Sequence, residues 1–421
     1  MNQKLRTHAE QIARSAVNAV KPDAAVRNIL LQSPPKGNVY LVAVGKAAWK
    51  MAETAVHYIP QGIQGGIVVT KYAHAEHPLE NITCYEAGHP VPDENSIRAT
   101  QAVLDMTENL TAEDTVLFLL SGGGSALFEK PLVSLEHIQE ITGQLLACGA
   151  DIVEINTIRK RLSAVKGGRF AQWCAPAKIT AIVLSDILGD PLDMIASGPA
   201  APDASTCEDA LQIVKKYNLK LRDNTMALLQ QETPKILDNV ETHVIGSVRQ
   251  LCKAAEAACV ELGYTPVFLT DRMCCEAREA GSFLASVLRS HASLGKKLAF
   301  LAGGETVVHL TGKGLGGRNQ EIVLGAVEGI ADVPNAALIS IGSDGTDGPT
   351  DAAGGYVDTD TFHELLDRGI LPAEVLVKND AYHALKAVDC LIFTGPTGTN
   401  VNDITVALLG SDDAININLK G

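Results

Sequence analysis

Residues 115–128 read TVLFLLSGGGSALF. The first six residues are almost entirely apolar, which is typical of a strand buried on both faces of a parallel sheet. Ser121, Gly122, Gly123, Gly124 and Ser125 follow directly. A run of glycines offers consecutive backbone N–H groups that no side chain obstructs, and such groups bind anions. The stretch therefore predicts an α/β fold with an anion-binding loop at a strand end; a plain glycine turn is the alternative.

Strands and helices alternate on both sides of this stretch. Further strands are predicted at residues 38–44, 65–70, 178–185, 242–247, 266–270, 297–304, 307–310, 336–342, 391–395 and 404–410. In the first half of the chain, the helices between the strands favour right-handed crossovers and a mainly parallel sheet. A chain of 421 residues exceeds what one core usually serves. A break in the pattern near residue 235 predicts two domains, 1–235 and 236–421, and apolar spacing over residues 5–20 predicts an N-terminal helix.

Composition excludes several classes of protein. The formal net charge is -14 and no block rich in Lys and Arg occurs, so we expect no nucleic-acid partner. No apolar run approaches about 18 residues, and the N-terminus lacks the apolar core of a signal peptide. The nine cysteines fit neither a zinc site nor a disulfide framework. We expect a cytoplasmic enzyme with small-molecule partners and no membrane contact; a homodimer is left open.

The loop after strand 38–44 places a cation at an unfavourable position. Gly45 follows the strand, and Lys46 is predicted to open a helix over residues 46–57. A lysine in the first helical turn opposes the helix dipole at a cost of about 0.3–1 kcal/mol. An ammonium beside free N–H groups suits a phosphate or a carboxylate. A solvated surface lysine is the alternative.

Residues 154–170, EINTIRKRLSAVKGGRF, concentrate cations on one predicted helix. Asn156 is a candidate N-cap, and Arg159 is a candidate bidentate clamp for a carboxylate. A solvated basic helix face is the alternative. Shortly afterwards Asp186 ends a strand, where a carboxylate can hold a metal or accept a hydroxyl proton.

The second half of the chain carries a similar arginine. Arg318 follows two glycines at a predicted helix start, and an arginine there suits the charged oxygens of a transferred phosphoryl group. Glu305, between two predicted strands, is expected to face the same ligand-binding cleft as Arg318. The loop 342–355 contains Asp344 and Asp347, whose hard oxygen ligands suit Mg²⁺. The loop 394–403, rich in Thr, Gly and Asn, is longer than a hairpin requires.

Several nucleotide-binding motifs are absent. The chain has no GxxxxGK[ST] loop, no protein-kinase motif set and no GxGxxG after its first strand. The residues alone therefore indicate an α/β enzyme that handles anions with cations and carboxylates at strand ends. They leave the substrate open.

Seven segments together resemble one known family. They are VGKAAWKMA, LLSGGGSAL, EINTIRKRLSAVKGGR, LSDILGDPLDMIASGP, GGETVVHLTGKGLGGRNQE, SDGTDGPTDAAGG and TGPTGTNVND. In this order they resemble the glycerate 2-kinase family with a MOFRL C-terminal domain. The resemblance implies a Rossmann-like parallel-sheet N-terminal domain, a smaller α/β C-terminal domain and an active site in the interdomain cleft. It also implies transfer of the γ-phosphoryl group of ATP to the 2-hydroxyl of D-glycerate with Mg²⁺.

The resemblance and the chemistry of the loops together predict roles for the loop residues. Lys46 and Arg318 match the catalytic cations proposed for the family, and Asp186 is expected to orient or deprotonate the 2-hydroxyl. The expected glycerate-binding residues are Ser121, Gly122, Gly123, Gly124, Ser125, Asn156 and Arg159. The expected nucleotide-binding residues are Glu305, Asn319, Thr397, Thr399 and Asn400, with Asp344 and Asp347 at the metal. A hydroxypyruvate reductase using NAD(P)H and a non-catalytic sugar-phosphate-binding module stay open as alternatives.

Overall fold

The computed structural model describes residues 2–59, 62–185, 187, 189 and 191–411. The chain forms two compact units. One unit is Pro22–Ile245, and the other combines Met1–Lys21 with Gly246–Gly421. This division differs from the predicted domains 1–235 and 236–421 at both ends of the first domain, and local packing explains each difference.

The first helix, α1 (Gln3–Ala19), packs in the unit that contains the C-terminal half of the chain. Its N-cap is Asn2, whose side chain accepts a hydrogen bond from the backbone N–H of Leu5. The predicted apolar face is buried, including Ile12 and Ala16. The Thr399 hydroxyl donates to the Val20 carbonyl at 3.0 Å and fixes the end of this segment. The amphipathic helix was thus predictable, but its partner unit lies more than 200 residues away in sequence.

The unit Pro22–Ile245 is built on a six-stranded sheet. Its strands are β1 (Asn38–Val44), β2 (Gly65–Lys71), β3 (Ile82–Ala87), β4 (Asp114–Leu120), β5 (Lys178–Leu184) and β6 (Val240–Gly246). They lie in the order β3-β2-β1-β4-β5-β6. The pairs β1–β2, β2–β3, β1–β4 and β4–β5 are parallel. This order is that of a doubly wound, dinucleotide-fold sheet. Strand β6 belongs to this sheet, which moves the boundary from the predicted residue 235 to residue 245.

Helices cover this sheet and build a second, smaller core. They are α2 (Pro22–Gln32), α3 (Ala48–Tyr58), α4 (Glu94–Thr107), α5 (Gly124–Leu127), α6 (Leu135–Ala147), α7 (Ile152–Arg161), α8 (Arg169–Cys174), α9 (Cys207–Tyr217) and α10 (Asp223–Leu229). A short 3₁₀ turn occupies Ile195–Ser197. The smaller core joins α6, α7, α9 and α10, with Leu145 and Ile158 fully buried. It therefore fixes α7, which carries two of the predicted site residues.

The second unit contains a mixed six-stranded sheet. Its strands are β7 (Thr265–Met273), β8 (Leu298–Gly304), β9 (Ala336–Gly342), β10 (Gly354–Asp358), β11 (Leu391–Ile392) and β12 (Asp403–Leu409). They lie in the order β11-β10-β9-β12-β8-β7, and only β7–β8 is parallel among these neighbours. Its helices after α1 are α11 (Val248–Glu261), α12 (Ala277–His291), α13 (Arg318–Ile330), α14 (Thr361–Asp367), α15 (Pro372–Val377) and α16 (Ala381–Ala387). A 3₁₀ turn occupies Ala292–Leu294.

Two predicted strands of this unit are wrong in extent. The segment 307–310 makes only an isolated bridge between Val307 and Glu276, and Leu310 is largely exposed, so no partner strand extends the pairing. The predicted strand 391–395 ends at Ile392, because the chain turns outward at the exposed Phe393. Across the described residues no helix combines the length and apolar character that crossing a membrane would need.

Candidate active site

The glycine loop, Ser121–Ser125, lies at the point where the strand order of the first sheet reverses. Strands β1 and β4 are neighbours there, and ligands of open α/β sheets bind at this switch point. The Lys46 backbone N–H donates to the Gly122 carbonyl at 2.9 Å, which joins the loops after the two strands. Gly45 has φ +122°, and a Cβ there would lie 2.2 Å from the Ser121 hydroxyl. The close approach of the two loops therefore requires this glycine.

Ser121 holds the two loops together. Its hydroxyl accepts from the Ala47 N–H at 3.1 Å, and its own N–H donates to the Val44 carbonyl at 2.9 Å. Because both groups are engaged and the residue is buried, Ser121 offers no free donor to a carboxylate. The N–H groups of Gly122, Gly123 and Gly124 make no hydrogen bond within the described part of the chain. The predicted anion-binding donors are thus narrowed to the three glycines and Ser125.

Ser125 is supported from behind by a buried chain of polar side chains. Its hydroxyl lies 3.1 Å from that of Ser197, and the Ser197 hydroxyl donates to Asn156 Oδ1 at 2.9 Å. Ala196 and Ser197 have φ values of 51° and 61°, a left-handed conformation that non-glycine residues rarely adopt and that often marks functional sites. Asn156 is therefore a support of the glycine loop in the middle of α7. The predicted N-cap role is wrong, since Asp151 caps that helix.

Arg159 contacts the end of the glycine loop. Its Nη2 donates to the Ser125 carbonyl at 3.0 Å and lies 3.6 Å from the buried carboxylate of Glu129. Glu129 also pairs with the fully buried Lys166 at 3.1 Å. Burial lowers the pKa of Lys166 to about 8, although the charge of Glu129 opposes the shift. Arg159 is thus held by the protein, and its other guanidinium nitrogens contact no acceptor among the described residues, which leaves them free to clamp a ligand.

The remaining cations of the predicted basic helix are structural. Lys160 donates to Asp193 and Asp203, both at 3.0 Å, and Arg161 lies 3.7 Å from Asp203. Lys160 and Arg161 are almost completely buried. The solvated-face alternative is therefore wrong for this pair, and neither of the two is available to a substrate.

Lys46 differs from these paired cations. Helix α3 begins at Ala48, so Lys46 precedes the helix instead of occupying its first turn as predicted. Its side chain is half-buried, and its ammonium has neither an ion pair nor a hydrogen bond among the described residues. The residue stays next to the positive end of a helix and beside the glycine loop. An anionic ligand would satisfy this charge.

Two histidines and a second lysine near Lys46 were missed by the sequence analysis. Burial lowers the pKa of His89, and the positive charges of Lys46, Lys71 and His74 lower it further. The His74 Nδ1 lies 3.1 Å from the Lys46 carbonyl. These residues come from the end of β2 and from the loops after β2 and β3, whose approach to the glycine loop no local pattern reveals. The only signal was a Gly-His-Pro sequence directly after β3.

Asp186 lies outside the described residues, so the structure gives it no position. Its predicted role as the acceptor of the hydroxyl proton stays a prediction.

In the second unit Arg318 lies in an ion-pair cluster. It begins α13, and its guanidinium donates to both carboxylate oxygens of Asp403, at 2.5 and 3.1 Å. Its Nη1 donates to Glu305 at 3.0 Å. Burial alone would lower the pKa of Arg318, but the bond to Asp403 raises it above its usual value. Burial raises the pKa of Asp403 to about 6, and the Arg318 pair opposes that shift. Asp403 was not identified in the sequence.

Asp347 caps the N-terminus of α13. Its carboxylate accepts from the backbone N–H groups of Asn319 at 3.1 Å and Gln320 at 2.9 Å. The Asn319 side chain donates to Asp347 and accepts from the Ser340 hydroxyl, so it is enclosed in the core. Asp347 is also almost fully buried, and burial raises its pKa. Neither Asp347 nor Asn319 therefore presents a free side chain to a metal or a nucleotide.

The other predicted nucleotide residues differ in access. Asp344 is half-exposed and one of its oxygens accepts from the Thr346 N–H at 2.9 Å. Thr397 bonds back to this loop through the Ser343 carbonyl at 2.5 Å. Thr399 is buried against Val20, whereas Asn400 is half-buried. Within the described residues no group of three His, Cys, Asp or Glu side chains is arranged to hold a metal by itself.

Each unit thus gathers charged groups at loops next to buried strands, with a free lysine in one and a fixed arginine in the other. Such a fold and such loops define an α/β enzyme of small anionic substrates.

Comparison with known proteins identifies the family. Residues 8–230 match the family described as "Domain of unknown function (DUF4147)", and residues 298–403 match the MOFRL family. The chain is 51% identical to D-glycerate 2-kinase of Thermotoga maritima, over 97% of this chain and 99% of the relative. A crystal structure of glycerate kinase from the same organism superposes with a TM-score of 0.95 at 50% identity, covering 97% of this chain and 100% of that one. The chain belongs to the glycerate 2-kinase family with a MOFRL domain.

One further relative carries a different name. A protein of Agrobacterium vitis, 39% identical over 96% of this chain and 95% of its own length, has a provisional name as a hydroxypyruvate reductase. The predicted fold class, a Rossmann-like α/β unit with a second α/β unit, is confirmed by the first sheet and by the structural neighbour. The predicted position of the active site between the domains stays a prediction.

Proposed function

We propose that this protein transfers the γ-phosphoryl group of ATP to the 2-hydroxyl of D-glycerate. The observation that carries the proposal is the 51% identity with a D-glycerate 2-kinase across nearly the whole of both chains. The free charge of Lys46 beside the unpaired glycine N–H groups supports it, because the reaction needs a site for small anions. Phosphoryl transfer depends mainly on positioning and on neutralising charge, which these groups are suited to do.

On the acceptor side, the three glycines and Ser125 bind the glycerate carboxylate through backbone N–H groups. Arg159 adds a charged hydrogen bond while its Nη2 holds the loop. Ser197 and Asn156 keep Ser125 in place. Asp186 orients or deprotonates the 2-hydroxyl. Lys46 neutralises charge on the phosphoryl group as it is transferred.

On the donor side, Arg318 neutralises charge on the same phosphoryl group, and Asp403 with Glu305 fixes its orientation. Mg²⁺ commonly takes one or two protein carboxylates together with nucleotide phosphates. Asp344 suits this role because its Oδ2 accepts no hydrogen bond among the described residues. When bound, the ion would supply charge neutralisation at the phosphates. Asp347 does not bind the ion itself; its carboxylate fixes the start of α13.

Nucleotide contacts from this side come from the accessible members of the predicted set, Glu305, Thr397 and Asn400. Thr399 and Asn319 support these loops from inside. We also propose that the enzyme works in the cytoplasm, since its nine cysteines are all free, as in a reducing compartment. A homodimer remains compatible with this function and is not required by it.

The reaction is tested by phosphorus NMR of the purified protein with MgATP and D-glycerate. We expect a 2-phosphoglycerate signal that grows together with ADP. A 3-phosphoglycerate signal would keep the kinase and overturn the 2-position. Absence of any phosphorylated product from a folded sample would reject the kinase. NADH oxidation by hydroxypyruvate, measured on the same sample, would then identify the reductase named for the Agrobacterium relative.

A further inference from the structure

Three loops of the first sheet converge on Gly123. A Cβ placed on this glycine would lie 3.0 Å from His89 Cδ2, 3.2 Å from His89 Nε2 and 3.4 Å from Lys46 Cγ. Lys46 follows β1, His89 follows β3 and Gly123 follows β4. A side chain on Gly123, at φ +90°, would press against the imidazole and displace it by a few tenths of an ångström. The His89 imidazole therefore packs against the glycine loop and forms one wall of the space beside it.

The loop that carries His89 is anchored on both sides. Strand β3 pairs in parallel with β2 up to Ala87. Asp93 then caps α4 by accepting from the Ser96 N–H at 2.9 Å, and it accepts from the Tyr72 hydroxyl at 2.6 Å. These contacts hold the segment 88–92 from both ends. His89 is half-buried, and its ring makes no hydrogen bond with any residue that the structure describes.

Burial, together with the charges that face His89, keeps its ring neutral. Lys46 comes from the loop after β1, and Lys71 and His74 come from the end of β2 and the following loop. The glycine loop contributes no titratable side chain. On its own loop the nearest acid, Asp93, is engaged with Ser96 and Tyr72. Burial and these cations lower the pKa of His89, so the imidazole is neutral near pH 7 and one ring nitrogen accepts a hydrogen bond.

We propose that the His89 imidazole contacts the 2-hydroxyl of glycerate and accepts its proton, so that Asp186 orients the hydroxyl instead of deprotonating it. This inference rests on the proposed function. If the glycine N–H groups hold the carboxylate, the hydroxyl on the adjacent carbon is the substrate hydroxyl closest to the loop wall. The neutral ring next to Gly123 then faces that hydroxyl.

The step balances without any additional reactant. The O–H bond of the 2-hydroxyl breaks and its proton bonds to the free ring nitrogen. The oxygen forms a bond to the γ-phosphorus, and the bond from that phosphorus to the β,γ-bridging oxygen breaks. Its electron pair leaves with ADP. Lys46, beside the same glycine, stabilises the charge as it moves.

The test compares His89→Gln with His57→Gln, a change of the same kind at an exposed site on α3. We expect His89→Gln to lower kcat/KM for glycerate by about 100-fold or more, the range for losing a positioned proton acceptor. The acid limb of the pH profile of kcat/KM should disappear in this variant and persist in His57→Gln. His89→Ala should regain activity when free imidazole is added.

A purely structural role would lower activity without changing the pH profile or permitting imidazole rescue, and that result would overturn the proposal. So would a His89→Gln enzyme within about threefold of wild type. So would loss of the acid limb in Asp186→Asn with the limb intact in His89→Gln. Thermal unfolding shows whether each variant is folded. If wild-type protein forms no phosphoglycerate, the proposed function fails instead, and the two failures are distinguishable.

Discussion

Lys46 and Arg318 share a sequence context, a cation directly after glycine near a helix start, but the structure gives them opposite surroundings. Lys46 has no carboxylate partner among the described residues and lies near Lys71 and two histidines. Arg318 makes a two-point pair with the buried Asp403 and a third contact with Glu305.

The difference shows that one local pattern serves two electrostatic purposes. An unpaired lysine in a basic environment attracts an anionic ligand with its full charge, and ligand binding relieves the repulsion around the lysine. A paired arginine attracts an anion less strongly because its carboxylate partner offsets its charge, but its orientation is fixed before any ligand arrives. Fixed charges of this kind stabilise a transition state without reorganisation. Activity and stability should therefore separate at Lys46 and fall together at Arg318.

The largest effect on activity is expected for Lys46→Met. We expect kcat/KM to fall by about 10²–10³ or more, as for loss of a group that stabilises developing charge. The free energy of unfolding should stay within about 0.5 kcal/mol of wild type, because no ion pair is lost. Steady-state kinetics and urea unfolding measure the two quantities. Lys50→Met, at an exposed lysine one turn further along, is the control and should keep full activity. Activity within about threefold of wild type at Lys46→Met would refute its role.

Arg318→Met should lower both the kcat/KM and the free energy of unfolding. It removes the partner of a buried carboxylate, and since Arg318 is itself about one-third exposed we expect a destabilisation of about 2 kcal/mol. The double variant Arg318→Met/Asp403→Asn should regain part of that stability while staying inactive, because the buried charge is gone but the cation is not restored. Urea unfolding of the two single variants and the double variant measures the coupling. Additive effects would show that the pair contributes nothing.

The smallest effect is expected at Ser197→Ala, behind the glycine loop. The change leaves Asn156 Oδ1 without its buried donor, so we expect a loss of about 1 kcal/mol in stability. The KM for glycerate should rise several-fold while kcat changes less, because the loop is loosened and the cations are untouched. An unchanged KM would show that this buried chain of side chains does not contribute to substrate binding.

The sequence revealed features that depend on local patterns and missed features that depend on contacts between distant parts of the chain. Buried strands followed by glycines predicted β1 and β4, but the contact between the loops that follow them was found only in the structure. The position of α1 and the membership of β6 depend on contacts far apart in sequence, and both were misassigned. Asn156 was interpreted as an N-cap because its residue type fits a cap, whereas the helix begins four residues earlier at Ile152. His89 was missed because only the folding of the loop after β3 brings it to Gly123.

Asp347 and Asp403 illustrate a different limit. Asp347 was predicted at the metal because acidic residues in a glycine-rich loop suit Mg²⁺. The structure commits its carboxylate to the first N–H groups of α13. Asp403, at the start of a buried strand, looked like an ordinary loop residue, although it is the main partner of Arg318. Residue type alone does not distinguish a carboxylate that binds a ligand from one that fixes a neighbour.

The most direct test of the account is the separate binding of D-glycerate and of MgADP, measured by calorimetry on Gly123→Ala and Asp344→Asn. A methyl group on Gly123 would meet His89, and Gly149→Ala, at φ +75° with open space around it, controls for backbone strain. We predict that Gly123→Ala weakens glycerate binding by at least about tenfold, or 1.4 kcal/mol, and leaves MgADP binding unchanged, with the reverse for Asp344→Asn. Weakened binding of both ligands in each variant would contradict the division between a glycerate-binding glycine loop and a nucleotide-binding second unit. So would weakened MgADP binding in Gly123→Ala together with weakened glycerate binding in Asp344→Asn.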